Sequence, residues 1–294
     1  MSPFYPPRLV APPEVAAGFV STCSPAGSLE SLEHSARADG LDVLPLLASH
    51  EWRTFSAEVR QAFGANDHVV LKGLPVVAHG ATLLIASLAI GSMFRSYRKG
   101  QIIKHFAMSP WTTDLSHTTR EGEFHTDLNT EPQPPAITAM QCREPDPGTP
   151  RYGLSRVARL GDLLAFLEQD NDVNTLRFLT QDTITMLNDR SVSSWSGNAV
   201  EHGILRYHPE TLRAAARRSG QSVLALEGQI ASVARAAFAV SEPFALDRGD
   251  VLLLSNHRTL HYRGECSVVF KRYPTEYVSR SIFILHANQE LKSS

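Results

Sequence analysis

Gly122-Glu123-Phe124-His125-Thr126-Asp127 and, far downstream, Asn256-His257-Arg258-Thr259-Leu260-His261-Tyr262-Arg263 are the two stretches on which the reading of this chain turns. Side chains two apart on an extended strand point to the same face. The first run is strand-like, so His125 and Asp127 can reach one metal ion while Thr126 points away. A third ligand must then come from a neighbouring strand, which can be remote in sequence. The second stretch follows an apolar run and offers His261, with His257 as its rival. Two histidines and one carboxylate, with other coordination positions open, form a facial set suited to a ferrous ion that must bind dioxygen and a second molecule. A His-x-Asp pair alone is weak, because long chains contain one by chance; the sequence on both sides gives it meaning.

Outward from these stretches, the chain alternates short strand-like runs with helical ones. Strands are expected at His68–Leu71, Ile102–Phe106, Ala136–Cys142, Thr183–Leu187, Gly203–Tyr207, Phe244–Leu246, Val251–Leu254 and Val278–Leu285. Helices are expected at Leu29–Ser49, Trp52–Phe63, Ala81–Tyr97, Leu160–Gln169, Val173–Leu179, Glu210–Arg218 and Val223–Phe238. Residues 1–27, rich in Pro, Gly, Ala and Ser, read as an extended N-terminal arm, and residues 28–294 as a single domain. Many short strands with helices before and among them predict a mainly β fold with helical additions, a distorted double-stranded β-helix or jelly roll. A doubly wound sheet fits less well, for there is neither a Gly-rich turn after a first strand nor a Gly-Lys-Ser/Thr phosphate loop.

The bulk properties narrow the function classes. In 294 residues the formal net charge is −2, so nothing argues for a nucleic-acid partner. The longest apolar stretch, Ala81–Phe94, falls short of the roughly 20 residues a membrane span needs. The start, Met1-Ser2-Pro3-Phe4-Tyr5, lacks a charged-then-apolar signal pattern. Cys23, Cys142 and Cys266 are sparse and without Cys-x-x-Cys, which reads as reduced thiols. A cytoplasmic enzyme acting on a small molecule is the expectation, and a homo-oligomeric state is compatible with it.

Beyond these readings, the chain resembles the Fe(II)/2-oxoglutarate-dependent oxygenases, in the branch that contains taurine dioxygenase and clavaminate synthase. The resemblance rests on Phe124 to Cys142, with the metal pair, the Pro134-Pro135 step and a strand; on Arg248 to Arg263, with a Gly-Asp turn, an apolar strand, Asn-x-Arg and Leu-His-x-Arg; and on Arg272 to Leu285. It covers roughly residues 64 to 286. It implies Fe(II) on His125, Asp127 and His261, 2-oxoglutarate as cosubstrate and O2 as oxidant. His261 is preferred over His257 because it lies at the resembling motif's offset from Asn256. Arg280 would grip the far carboxylate of 2-oxoglutarate, with Arg272 as runner-up, because a guanidinium fork matches a carboxylate. The family's Gly-Gly-x-Thr turn is not matched; Asp146-Pro147-Gly148-Thr149 stands in its place, which makes Thr149 the candidate for a second cosubstrate contact.

The implied reaction is hydroxylation or desaturation of an unactivated C–H bond, since related halogenases replace the carboxylate that Asp127 retains. The branch acts on small polar molecules, so an amino-acid-like or natural-product intermediate is the expected substrate. Arg120 and Arg206 are candidate substrate contacts. Trp195, in a segment from Ser191 to Val200 expected to be a flexible cover, is a third. A non-catalytic jelly-roll binding or sensory protein, or a cupin-type metal-dependent isomerase, is the alternative reading.

Overall fold

Every residue of Val251–Ser255 (β11) is buried, so this strand has to be covered on both faces and belongs in the middle of a sheet. The computed structural model, which describes residues 5–23, 33, 44–97, 100–114 and 116–291, places it there. β11 runs antiparallel between His68–Lys72 (β2) and Ile137–Glu144 (β5). β5 pairs in turn with Ser281–Glu290 (β15), whose far edge is shared by Gly91–Phe94 (β3) and Lys104–Ala107 (β4). Arg8–Val10 (β1) adds in parallel to β2, completing a seven-stranded sheet.

The period-two alternation of these strands builds two cores. On one face Val69, Leu71, Ile137, Ala139, Val251, Leu253, Phe283 and Leu285 pack with the helices His50–Asn66 and Ala81–Ser87. On the other, Val70, Met140, Cys142, Leu252 and Leu254 meet Val157, Phe244 and Leu246. Val157 lies on Ser155–Arg159 (β6), which pairs with Thr259–Arg263 (β12) to form a smaller opposing sheet. Two facing sheets packed through this cluster are the jelly roll read from the sequence.

Short ladders complete the set: Thr183–Asn188 (β7) with Ser193–Asn198 (β8), Val200–Glu201 (β9) with Ile204–Leu205 (β10), and Val268–Arg272 (β13) with Glu276–Ser279 (β14). The helices Leu160–Gln169, Val173–Thr180, Pro209–Ser219 and Val223–Ala239 cover the smaller sheet. The Gly-Asp turn before β11 requires its glycine. Gly249 has φ +92°, and a Cβ there would lie 2.2 Å from the Leu74 carbonyl oxygen.

Three expectations are corrected. The N-terminal arm is not extended over the surface: Arg8–Val10 is a sheet strand and Pro13–Cys23 a helix burying Val15, Phe19 and Cys23. Each large apolar side chain buried this way contributes about 2 kcal/mol, enough to order a segment whose composition reads as loop. The helix expected over Ala81–Tyr97 ends at Ser87, and Gly91–Phe94 becomes a strand because β15 offers it an edge; a Cβ at Gly91 would approach that of Ala287 to 2.9 Å. Ser191–Val200 is not a flexible cover but largely the strand β8. The helix expected over Leu29–Ser49 falls mostly outside the described residues; within them, Pro45–Ala48 is one helical turn.

All three cysteines are free and buried. Among the described residues, no helix is long and apolar enough to cross a membrane.

Candidate active site

His125 and His261 are brought together by their own backbones. Each amide donates to the other's carbonyl at 3.0 Å, an isolated antiparallel bridge at the mouth of the two sheets. Their ring centroids are 4.2 Å apart. The strand expected over Gly122–Asp127 is reduced to that single bridge. Asp127 opens a turn, followed at once by Leu128 in the left-handed region at φ 52°.

A buried side chain does what a strand would have done. The Asp127 amide donates to Asn256 Oδ1 at 2.7 Å. Asn256 Nδ2 donates to the carbonyls of Asp127 and Pro135, both at 3.0 Å. The outcome is a group of one ligand atom each from His125, Asp127 and His261, all within 4.8 Å of one another. His257 turns away, its Nε2 at 3.1 Å from the Pro134 carbonyl.

The protonation pattern suits a cation. His125 Nδ1 donates to the Glu123 carbonyl at 2.6 Å, which leaves Nε2 as a lone-pair donor facing Asp127 at 3.8 Å. Burial, with His125 adding to it, lowers the His261 imidazole to about 3, against the opposing pull of Asp127. Burial would raise the Asp127 carboxyl, but His261, His286 and His125 outweigh it and hold the acid well below the usual carboxylate range. Asp127 Oδ2 also accepts from the Thr138 hydroxyl at 2.9 Å and lies 3.1 Å from His286 Nε2. The Tyr97 hydroxyl hydrogen-bonds His286 Nδ1. With Nδ1 accepting, Nε2 carries the proton and donates to Asp127. Such outer partners fix a ligand's orientation and basicity.

Arg280, between β14 and β15, is 3% exposed. Its Nη2 donates to Ser155 Oγ at 3.1 Å, while Nη1 is buried with no hydrogen-bond partner. No acidic side chain among the described residues pairs with it. A buried guanidinium is costly unless an anion meets it, and the unused fork is shaped for a carboxylate. The runner-up, Arg272, sits on the exposed β13–β14 hairpin in an ion pair with Glu276.

Other expected contacts fall elsewhere. Thr149 is exposed, its hydroxyl donating to the Asp146 carbonyl at 2.9 Å in a turn held to Ser267 by the buried Asp146. The residue beside Arg280 is Ser155, six places further on, so the turn is longer than the resemblance allowed for. Arg206 is buried and donates to the carbonyls of Asn129, Glu131 and Pro132; its guanidinium lies 4.8 Å from the Trp195 ring centroid. Both side chains thus brace the loop after the metal pair rather than face a substrate. Arg120 is exposed.

Sequence reasoning missed Ser155, His286, Tyr97 and His208. His286 was within reach, because alternation along β15 puts it on the same side as Ile282 and Ile284 and opposite the core residues Phe283 and Leu285. His208 caps the helix Pro209–Ser219, its Nδ1 accepting from the Glu210 amide at 3.2 Å, and its ring lies 4.7 Å from that of His125. Burial keeps it neutral.

Comparisons with known proteins bear on the family and the fold. The family model described as "Taurine catabolism dioxygenase TauD, TfdA family" matches residues 31–268. No curated protein matches the chain in sequence. Among solved structures, an asparagine oxygenase in complex with Fe(II), hydroxyasparagine and succinate superposes with a TM-score of 0.69 at 16% identity, covering 96% of this chain and 93% of that one. The non-haem iron oxygenase OrfP in complex with Fe and α-ketoglutaric acid gives 0.64 at 16% identity, with 98% and 95% covered. The PvcB protein from Pseudomonas aeruginosa gives 0.55 at 15% identity, with 81% and 82% covered. At these identities the superpositions speak for the fold.

Proposed function

Since the chain belongs to the taurine catabolism dioxygenase TauD, TfdA family, we propose that it hydroxylates an unactivated C–H bond of a small amino-acid-like acid, with His125, Asp127 and His261 holding the iron and Arg280 the cosubstrate. The chain is a non-haem iron, 2-oxoglutarate-dependent oxygenase. The observation that carries the site assignment is the pairing of a three-ligand cluster with a buried guanidinium whose Nη1 has no partner. The donor set fits ferrous iron: two imidazoles and one carboxylate, with one ligand atom each within 4.8 Å of the others. When bound, Fe(II), 2-oxoglutarate and O2 supply the oxidising chemistry, giving succinate, CO2 and the hydroxylated product.

The residues of the chain bind, orient and shield. The reciprocal amide bonds of His125 and His261 set the spacing of the imidazoles. Thr138 and His286 orient the Asp127 carboxylate. Arg280 and Ser155 present N–H and O–H groups to the far carboxylate of the cosubstrate. Met140, Cys142 and Val157 belong to the apolar cluster between the two sheets. Substrate class is supported by the solved relatives, whose bound molecules are hydroxylated asparagine and arginine.

The test is anaerobic addition of Fe(II) and 2-oxoglutarate, followed by the weak visible charge-transfer band of the chelate. The band should form with the native chain and with His257→Ala. It should be lost with His125→Ala, Asp127→Ala and His261→Ala. Survival without His261 together with loss in His257→Ala would overturn the ligand assignment.

A further inference from the structure

Lys104 is the cation on the floor of the site that the foregoing reading leaves unused. The register of β4 against β15 sets Lys104 opposite Ile284 and His105 opposite Phe283. Phe283 points into the helical core, while His286, two residues beyond Ile284, points to Asp127. Lys104 therefore stands on the same face as His286, one strand over. Its Nζ lies 3.5 Å from the centroid of the Tyr97 ring, the ring whose hydroxyl hydrogen-bonds His286. The neighbouring cation Arg95 is taken, 3.2 Å from Glu131. Lys104 has no acidic partner among the described residues. Half burial lowers its ammonium, opposed only in part by Asp127.

We infer that Lys104, seated on Tyr97, anchors the carboxylate of the substrate, so that the substrate is a free acid and not a carrier-bound or amide-capped one. A partly desolvated ammonium fixed over an aromatic face is short of one anion, and a carboxylate supplies it. The two anion anchors do not compete. Arg280 and Ile284 are four residues apart on extended chain, roughly 13 Å at the usual rise. The cosubstrate's far carboxylate and the substrate's carboxylate thus reach the metal cluster from separate points along the floor. This inference rests on the oxygenase reading and deepens it by naming the group the substrate must carry.

The test uses the full chain with Fe(II) and 2-oxoglutarate under argon. The probes are the proteinogenic L-amino acids and, for each, its carboxamide. Binding is read as perturbation of the charge-transfer band and by titration calorimetry. At least one free acid should perturb the band, and its amide should bind at least about tenfold more weakly, as loss of a charge-assisted contact requires. Lys104→Met should keep the Fe(II)/2-oxoglutarate band, weaken the acid by a similar factor and abolish the preference for acid over amide; Lys104→Arg should retain it. A band that never forms sinks the oxygenase reading and this inference with it. A normal band with no response to any free acid, with equal binding of acid and amide, or with unchanged affinity in Lys104→Met, sinks the role of Lys104 alone.

Discussion

Replacing Arg280 with methionine should move two measurements in ways that separate a ligand-gripping arginine from a structural one. The guanidinium is 3% exposed, bonded only to Ser155 and otherwise without a partner. A buried ion pair broken on one side costs about 3–5 kcal/mol, because a stranded charge is left behind. Here no acid is stranded, so the ligand-free protein loses about 1 kcal/mol of hydrogen bonding to Ser155 and gains relief from a desolvated cation. Its thermal midpoint should hold or rise. Affinity for 2-oxoglutarate should fall steeply. Truncating one partner of a buried, hydrogen-bonded charge pair costs about 2–5 kcal/mol, which is roughly 30-fold to several thousandfold in Kd. Anaerobic titration of the charge-transfer band gives that Kd, and calorimetric unfolding without cosubstrate gives the midpoint. Arg280→Lys should fall between, since it keeps the charge and loses the fork. A variant that unfolds several degrees earlier yet binds 2-oxoglutarate as before would refute the assignment and make Arg280 a structural residue.

Three further outcomes follow from the same coordinates. Ser155→Ala should weaken 2-oxoglutarate by about tenfold or more, the worth of one hydrogen bond to a charged group, while Thr149→Ala leaves the titration unchanged. Arg206→Met should destabilise the fold by about 3 kcal/mol in urea unfolding, because the carbonyls of Asn129, Glu131 and Pro132 lose their shared donor. Burial, only partly offset by the bond to the Asn66 carbonyl, lowers His68 from 6.5 to about 4. As pH falls the unfolded chain takes up this proton before the folded one does. The associated stability, about 3 kcal/mol, is therefore complete above pH 6.5 and lost on the way down to pH 4. His68→Gln should flatten that acid limb in urea midpoints measured from pH 7 to pH 4.5.

That His125, Asp127 and His261 would come together was legible because the first two are two residues apart and the resembling motif's offset from Asn256 singles out the third. The physical reason was only half right, since Asp127 is aimed by Asn256 and not by a strand. β11 was legible because it is a continuous apolar run; for β15 only the apolar part up to Leu285 was, and the expected strand Val278–Leu285 also ran across the break at Arg280 into β14. β6 was not, because Arg156 and Arg159 mask a strand that buries Ser155 and Val157 through pairing with β12. Ser155 was overlooked with it, for its contact with Arg280 is a side-chain hydrogen bond across 125 residues of chain. Arg206 and Trp195 looked like pocket residues because charge and aromaticity mark function and bracing alike. Only the three-dimensional partners distinguish them, and those of Arg206 lie some 75 residues away in the chain.

The cross-bond between the His125 and His261 amides uses no side chain, and the clamp of Asn256 grips only the main chain of residue 127. The acid at that position is therefore a removable tooth in a fixed frame. Exchanging it for a smaller residue should leave both imidazoles where they are and open room for a foreign anion between them. Chemistry at this centre can diverge by a single codon without the scaffold being rebuilt.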